Sequence, residues 1–185
     1  MKKQILTLAN SAIKAQLFDH KIPSKAHIIK NYPDFDTNRA TFVTLKINGN
    51  LRGCIGSLSA YRNLYDDLVE NSIGAAFKDP RFMPLSKEEF LKISIEVSLL
   101  SEASLLEYKN IEDLRSKVEV GTDGIILKLG THQATFLPQV WEQLDNFDSF
   151  FAQLCNKAGL DANSLELHPM IYKYQVEKIR ENEIL

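Results

Sequence analysis

The stretch Leu51-Arg52-Gly53-Cys54-Ile55-Gly56 holds an arginine, one of the chain's two cysteines and two glycines. A thiol becomes nucleophilic when a nearby cation or helix N-terminus lowers its pKa, and Arg52 and the helical pattern that follows could supply both. Cys54 is therefore the candidate catalytic residue; its plainer reading is a small buried hydrophobe. Gly53 and Gly56 would let backbone amides approach an anion, or admit a bulge or a close backbone contact in a strand. Arg52, together with Arg81 in the proline-bracketed loop Asp79-Pro80-Arg81-Phe82-Met83-Pro84, could clamp a carboxylate or phosphate bidentately. Each arginine could equally sit in a structural ion pair, with Asp79 or Glu96 as the acid. Glu96 lies mid-strand between apolar residues. It is a candidate acid–base group, or a carboxylate on a solvated strand face.

Other chemistries find less support. His132, in an expected turn, and His168, before Pro169, have no ligand-type residue at helical spacing, and Cys54 and Cys155 form no CxxC pair. No metal or cofactor is expected, and Cys155, on an apolar helical stripe, reads as core. There is no Ser-His-Asp order and no Walker loop. A hydrophobic content of 44% and a formal charge of −2 describe a globular protein without the basic stripe of a nucleic-acid binder. No apolar run approaches the ~20 residues that span a bilayer. Asn10 and Lys14 interrupt the start before a signal-peptide core can form. The expectation is a cytoplasmic protein with neither nucleic-acid nor membrane partners.

The elements that would position these residues follow from periodicity. Ile5, Leu8, Ala12 and Leu17 give an amphipathic first helix, ended by Ile22-Pro23. From His27 to Arg39 the pattern reads as turns. Thr41 to Ile47 is a strand, and Asn48-Gly49 suits a tight hairpin turn, so the Arg52–Cys54 stretch returns antiparallel to it. Alternation would place Leu51, Gly53 and Ile55 on one face and Arg52, Cys54 and Gly56 on the other. Tyr61 to Ala76 carries a helical stripe, and its N-terminus would draw an anion toward Arg52 and Cys54. The loop from Asp79 to Pro84 would then have to fold back along that helix for Arg81 to meet Arg52. Ser86 and Glu89 form a capping box, and Ile93 to Leu99 alternates as a strand with one buried face. A short helix is expected from Asn110 to Val118. Strands follow from Ile125 to Leu129 and from Ala134 to Leu137, then a helix capped by Asp148 and closed by Gly159. Met170 to Val176 is a final strand.

Residues 41–100 and 124–177 share the order strand, tight turn, strand, helix, strand, although their residues hardly match. This order predicts an α+β fold of duplicated β-β-α-β units with mainly antiparallel pairing. It forms a single domain over 1–185, with residues 1–40 as a small N-terminal helical lobe.

Several of these stretches also resemble a known family. Ala40-Thr41-Phe42-Val43-Thr44-Leu45, Leu51-Arg52-Gly53-Cys54-Ile55-Gly56, Ala75-Ala76-Phe77-Lys78-Asp79-Pro80-Arg81-Phe82 and Glu96-Val97-Ser98-Leu99 are similar to AMMECR family motifs, in the same order. Gly124-Ile125-Ile126, Leu137-Pro138-Gln139-Val140 and Lys157-Ala158-Gly159-Leu160 extend the match. The resemblance implies a duplicated α+β fold, a cytoplasmic protein of unassigned activity, and association with Memo-like and radical-SAM proteins. Residues 130–136 depart from the usual glycine-and-leucine pattern, so no ligand contact carries over to that hairpin. Two functions follow. One is an enzyme, or a component of one, that holds a small anionic ligand near Arg52, Cys54 and Arg81. The other is a non-catalytic adaptor that binds protein partners through the small lobe and the turn at Asn48.

Overall fold

Helix α1 (Lys2–Leu17) forms because its apolar residues recur at helical spacing, and it buries Ile5, Leu8, Ala9, Ala12 and Ile13. A second helix, α2 (Lys25–Asn31), stands where turns were expected. Ser24 starts it by accepting the His27 N–H, and Ile28 is its one buried side chain, too little to show as a periodic stripe. The structure, a computed structural model, describes residues 1–181. The chain divides into two units, Met1–Leu100 with the return from Glu177, and Ser101–Val176.

In the first unit Asn48 (φ 51°) and Gly49 (φ 80°) take the left-handed positions of a tight turn. The turn joins β1 (Thr41–Ile47) to β2 (Asn50–Gly56). Helix α3 (Leu64–Phe77) begins later than the apolar stripe suggested, because the Asn63 side chain caps it at the Asp66 N–H. The short α4 (Lys87–Phe90) carries both arms of the expected capping box, and β3 (Ile93–Leu100) follows. From Ile95 onward β3 is buried on both faces, not one. Val43, Leu45, Ile95 and Val97 share a core with Ile5, Leu8, Phe35 and Leu68, so the first forty residues pack directly onto this sheet.

The second unit holds β4 (Ser104–Leu106), α5 (Ile111–Lys117), β5 (Gly124–Leu129), β6 (His132–Phe136), α6 (Phe147–Lys157) and β7 (Met170–Tyr174). His132 is on β6 rather than in the turn, and its Nδ1 lies 2.9 Å from the Ala158 carbonyl. Asn146, not Asp148, caps α6; Asp148 pairs with Arg115 at 2.6 Å instead. Gly159 does adopt the left-handed conformation beyond that helix (φ 75°). The last expected strand is in fact two, because the chain leaves β7 and forms β8 (Val176–Arg180) in the other sheet. The result is α+β, with sheet orders β2-β1-β3-β8 and β4-β7-β5-β6.

Candidate functional site

Strand β2 is the edge of its sheet, and its register with β1 is broken once. Leu45 pairs with Gly53, but Lys46 pairs with Leu51, so Arg52 is the extra residue of a bulge. The bulge cancels the simple alternation, and Leu51 falls opposite Lys46 instead of sharing a face with Gly53. A Cβ on Gly53 would lie 2.1 Å from the Ala75 carbonyl oxygen, and one on Gly56 would lie 2.2 Å from the Phe42 ring. Both glycines thus have a packing reason, the close passage of α3 and of an aromatic side chain.

Helix α3 runs antiparallel to β2. Its beginning meets Ser57 through Asp67, and its last turns meet Ile55 at Gly74 and Gly53 at Ala75. The end of the helix near Arg52 and Cys54 is therefore the C-terminal one, contrary to the sequence expectation, and it offers those residues no N-terminal amides. The same direction delivers the following loop straight to β2, so the loop need not fold back.

That loop fastens itself to the strand edge. The buried Asp79 carboxylate accepts the Cys54 N–H at 2.8 Å and the Arg81 N–H at 3.1 Å. Arg81 grips it bidentately, Nε to Oδ1 at 2.9 Å and Nη2 to Oδ2 at 2.7 Å, and Nη2 also reaches the Cys54 carbonyl at 3.4 Å. The outward backbone groups of an edge strand are thereby satisfied at Cys54. The Arg81 guanidinium holds the Asp79 carboxyl well below the usual carboxylate range, against the opposing effect of burial.

Arg52 pairs with Glu89 rather than with either acid expected from the sequence. Its Nε donates to Oε1 at 2.8 Å and its Nη2 to Oε2 at 2.9 Å, while Nη2 also donates to the Met83 carbonyl at 2.8 Å. Glu89 serves twice, since Oε2 also closes the capping box on the Ser86 N–H at 3.0 Å. Arg52 Nη1 is buried and has no hydrogen-bond partner among the described residues. Arg81 likewise commits Nε and Nη2 to its acid. The two guanidinium carbons lie 5.5 and 5.6 Å from the Phe82 ring centre, so the structure brings Arg52 and Arg81 to one aromatic side chain.

Cys54 and Glu96 fall in one row across the sheet, with Thr44 between them as the partner of both. The Cys54 Sγ lies 3.4 Å from Thr44 Oγ1. Two strand spacings put Glu96 about 10 Å from Cys54, too far to take its proton directly. Nor is Glu96 on a solvated face. It is buried and bound by Arg180 Nε at 2.6 Å, with Lys46 Nζ at 3.6 Å. Burial alone would raise its carboxyl, but the Arg180 hydrogen bond and the nearby cations outweigh that and hold it below its ordinary value. His168 stacks on Tyr108 at 4.1 Å and contacts its carbonyl. Among the described residues no group of three His, Cys, Asp or Glu is placed to hold a metal ion.

The Glu89 pairing leads to a pH prediction. The Arg52 hydrogen bond, aided by the Ser86 N–H, lowers the Glu89 pKa from 4.5 to about 2. A depressed folded-state pKa stabilises fully above the unfolded value and is lost as pH falls through the folded one. The stability gap between the protein and its Glu89→Gln variant should therefore be constant above about pH 5 and close toward pH 2. Denaturant titrations at stepped pH measure it, and a gap that does not narrow would contradict the pairing.

Two features of the site had no sequence signal as such. Glu89 was legible only as a helix cap. Asp67, fully buried at the start of α3, binds Thr41, Ser57, Arg62 and Asn71, yet an acid in a helix's first turn ordinarily marks a solvated position.

The AMMECR1 family model matches residues 6–179. A protein of Methanothermobacter thermautotrophicus is 34% identical over 183 residues, 97% of this chain and 94% of its own length. Protein MJ0810 of Methanocaldococcus jannaschii is 33% identical over 172 residues, covering 90% of this chain and 86% of that one. The crystal structure of uncharacterized protein PH0010 from Pyrococcus horikoshii is similar with a TM-score of 0.77 at 30% identity. The match covers 95% of this chain and 88% of that chain. None of these names carries an activity.

Proposed function

The chain belongs to the AMMECR1 family, and on that footing we propose that it is an enzyme or enzyme component holding a small anionic ligand at the edge of β2, between Arg52 and Arg81. The observation that carries this reading is Arg52 Nη1, a buried donor without a partner among the described residues. Leaving such a group unpaired costs about 1–3 kcal/mol, more when it is charged, and a carboxylate or phosphate oxygen would recover that cost. Arg81, whose guanidinium also lies over Phe82, has a half-exposed side chain and can take a second oxygen. Asp79 and Glu89 already neutralise the two guanidinium groups, so recognition rests on directed N–H donors rather than net charge. Arg52 Nη1 lies beneath the surface, so entry requires a neighbouring group to yield.

In this reading Gly53 and Gly56 position the strand, Cys54 is the candidate nucleophile and Glu96 a more distant acid–base group. The test is thermal stabilisation by a panel of small anions, inorganic phosphate and mono- to tricarboxylates among them. At least one should raise the melting temperature of the unmodified protein and fail to do so for Arg52→Gln, with Arg81→Gln weakened. An anion effect that survives Arg52→Gln, or none across the panel, would overturn the reading. A Cys54→Ser variant separates the thiol's chemistry from binding, because the thiol contributes no donor to the anion.

A second reading, an adaptor for Memo-like and radical-SAM partners, is favoured by Met83 and Leu91, both 81% exposed beside the same site. We also read the two units as copies of one β-β-α-β element, supported by the matching orders β2-β1-β3 and β6-β5-β7. The two cysteines are unpaired, which suits a reducing cytoplasm. Among the described residues no helix is long and apolar enough to cross a membrane.

A further inference from the structure

Three exposed apolar side chains lie in the segments that hold the Arg52–Glu89 pair. Leu51 precedes Arg52 and is 43% exposed; Met83 lends its carbonyl to Arg52; Leu91 stands two residues beyond Glu89. A large apolar side chain left four-fifths in water is ordinary when it stands alone. Three in the segments that hold one fixed ion pair make a surface that removal from water would favour.

The charges around these residues are unbalanced. Lys78, Lys87 and Lys92 are exposed and make no ion pair among the described residues, although Lys87 rests over the Phe18 ring at 5.4 Å. Arg81 adds a half-exposed guanidinium. The acids of the segment are mostly spent internally, Asp79 on Arg81 and Glu89 on Arg52, which leaves Glu88 as the exposed acid of residues 78–92. Buried or paired carboxylates contribute little field to an approaching partner, whereas the exposed ammonium groups contribute fully. Among residues 78–92 the exposed cations, Lys78, Arg81, Lys87 and Lys92, therefore outnumber the one exposed acid, Glu88. Strand addition is not the docking mode here, because the Asp79–Arg81 clasp already occupies the outward N–H and C=O of Cys54.

We propose that the surface formed by Leu51, Met83 and Leu91, together with Lys78, Lys87 and Lys92, docks an acidic segment of a partner protein that carries large apolar anchors. The proposal deepens the adaptor reading and rests on it; it does not require a small ligand at Arg52. Apolar anchors would cover Met83 and Leu91, and carboxylates beside them would meet the lysines. Attraction of this kind weakens with salt, since the Debye length falls from about 10 Å at 0.1 M to about 3 Å at 1 M.

The test is selection of a random twelve-residue peptide display library on the intact protein, with recovered peptides synthesised and measured by fluorescence anisotropy. Recovered peptides should be rich in Asp or Glu flanking Leu, Phe or Trp. They should bind about tenfold or more weakly to a Met83→Ser/Leu91→Ser variant and to a Lys87→Gln/Lys92→Gln variant, and weaken as salt rises. These side chains are exposed, so both variants should keep the parent melting temperature, which is checked first. Three results would overturn the proposal: no enriched peptide, enriched peptides without acidic residues, or binding to either variant as tight as to the unmodified protein. Self-association of the protein that disappears in Met83→Ser/Leu91→Ser would also overturn it, by assigning the surface to a second copy of the chain. Failure here leaves the anion panel on Arg52→Gln unaffected, so the two readings are judged separately.

Discussion

Replacing Asp67 with alanine is expected to destabilise the first unit by about 3–5 kcal/mol, because it breaks a buried charged pair and leaves several donors facing nothing. Asp67 is fully buried. Its Oδ2 accepts the Thr41 N–H at 2.8 Å, the Thr41 hydroxyl at 2.7 Å and Asn71 Nδ2 at 2.9 Å. Its Oδ1 accepts the Ser57 hydroxyl at 2.6 Å and Arg62 Nε at 2.8 Å. One carboxylate thus joins the start of β1, the residue after β2 and the first turns of α3. Asp67→Asn keeps the shape but turns one acceptor into a donor. Arg62 and the Thr41 N–H cannot accept, so the amide should cost a large part of the alanine loss. Urea unfolding of both variants measures this. A loss below about 1 kcal/mol for Asp67→Ala would mean the cluster is not a cooperative network.

The second large effect is expected at Gly53. An alanine Cβ would stand 2.1 Å from the Ala75 carbonyl oxygen, and both groups are backbone held in regular elements. Overpacking usually costs about 1–3 kcal/mol, and a collision that no side-chain rotation relieves should reach or exceed the upper figure. Gly74 provides the contrast, because it lies in the same interface. Its added Cβ would meet side-chain atoms rather than backbone, Ile55 Cγ2 at 3.0 Å and Cβ at 3.4 Å, a contact that a shift of a few tenths of an ångström relieves. Helix propensity favours alanine there by about 1 kcal/mol, so Gly74→Ala should fall near zero. If Gly53→Ala cost no more than Gly74→Ala, the close passage of α3 over β2 would be wrong.

These residues also show what was legible in the sequence. Asn48-Gly49 fixed the hairpin because few residue pairs favour two successive positive φ angles, and the capping box at Ser86 is equally local. That two glycines in one strand need a close contact was also legible, since strands lose packing at glycine for no local gain. What the glycines touch was not, because Ala75 and Phe42 reach them only through the tertiary fold. A bulge in this strand was legible from its glycines, but its place at Arg52 was not: alternation assumes an unbroken register, and one extra residue reverses it for Leu51. Arg52 and Arg81 were singled out by type and spacing, but their acids lie 37 residues and two residues away, and only the shorter separation was readable. Helix direction decided the rest. The helix after β2 was expected to bring its N-terminus to Cys54, and it brings its C-terminal turns instead.

The most direct measurement of the ligand reading is nuclear magnetic resonance of the arginine guanidinium groups, with an anion that stabilises the protein titrated in. The expected result is a shift of the Arg52 Nη1 protons, and of Arg81, while the Arg52 Nε proton held by Glu89 keeps its position. The contradicting result is an Arg52 group whose Nη1 signals stay unchanged at saturating anion, which would place the bound ligand elsewhere on the protein.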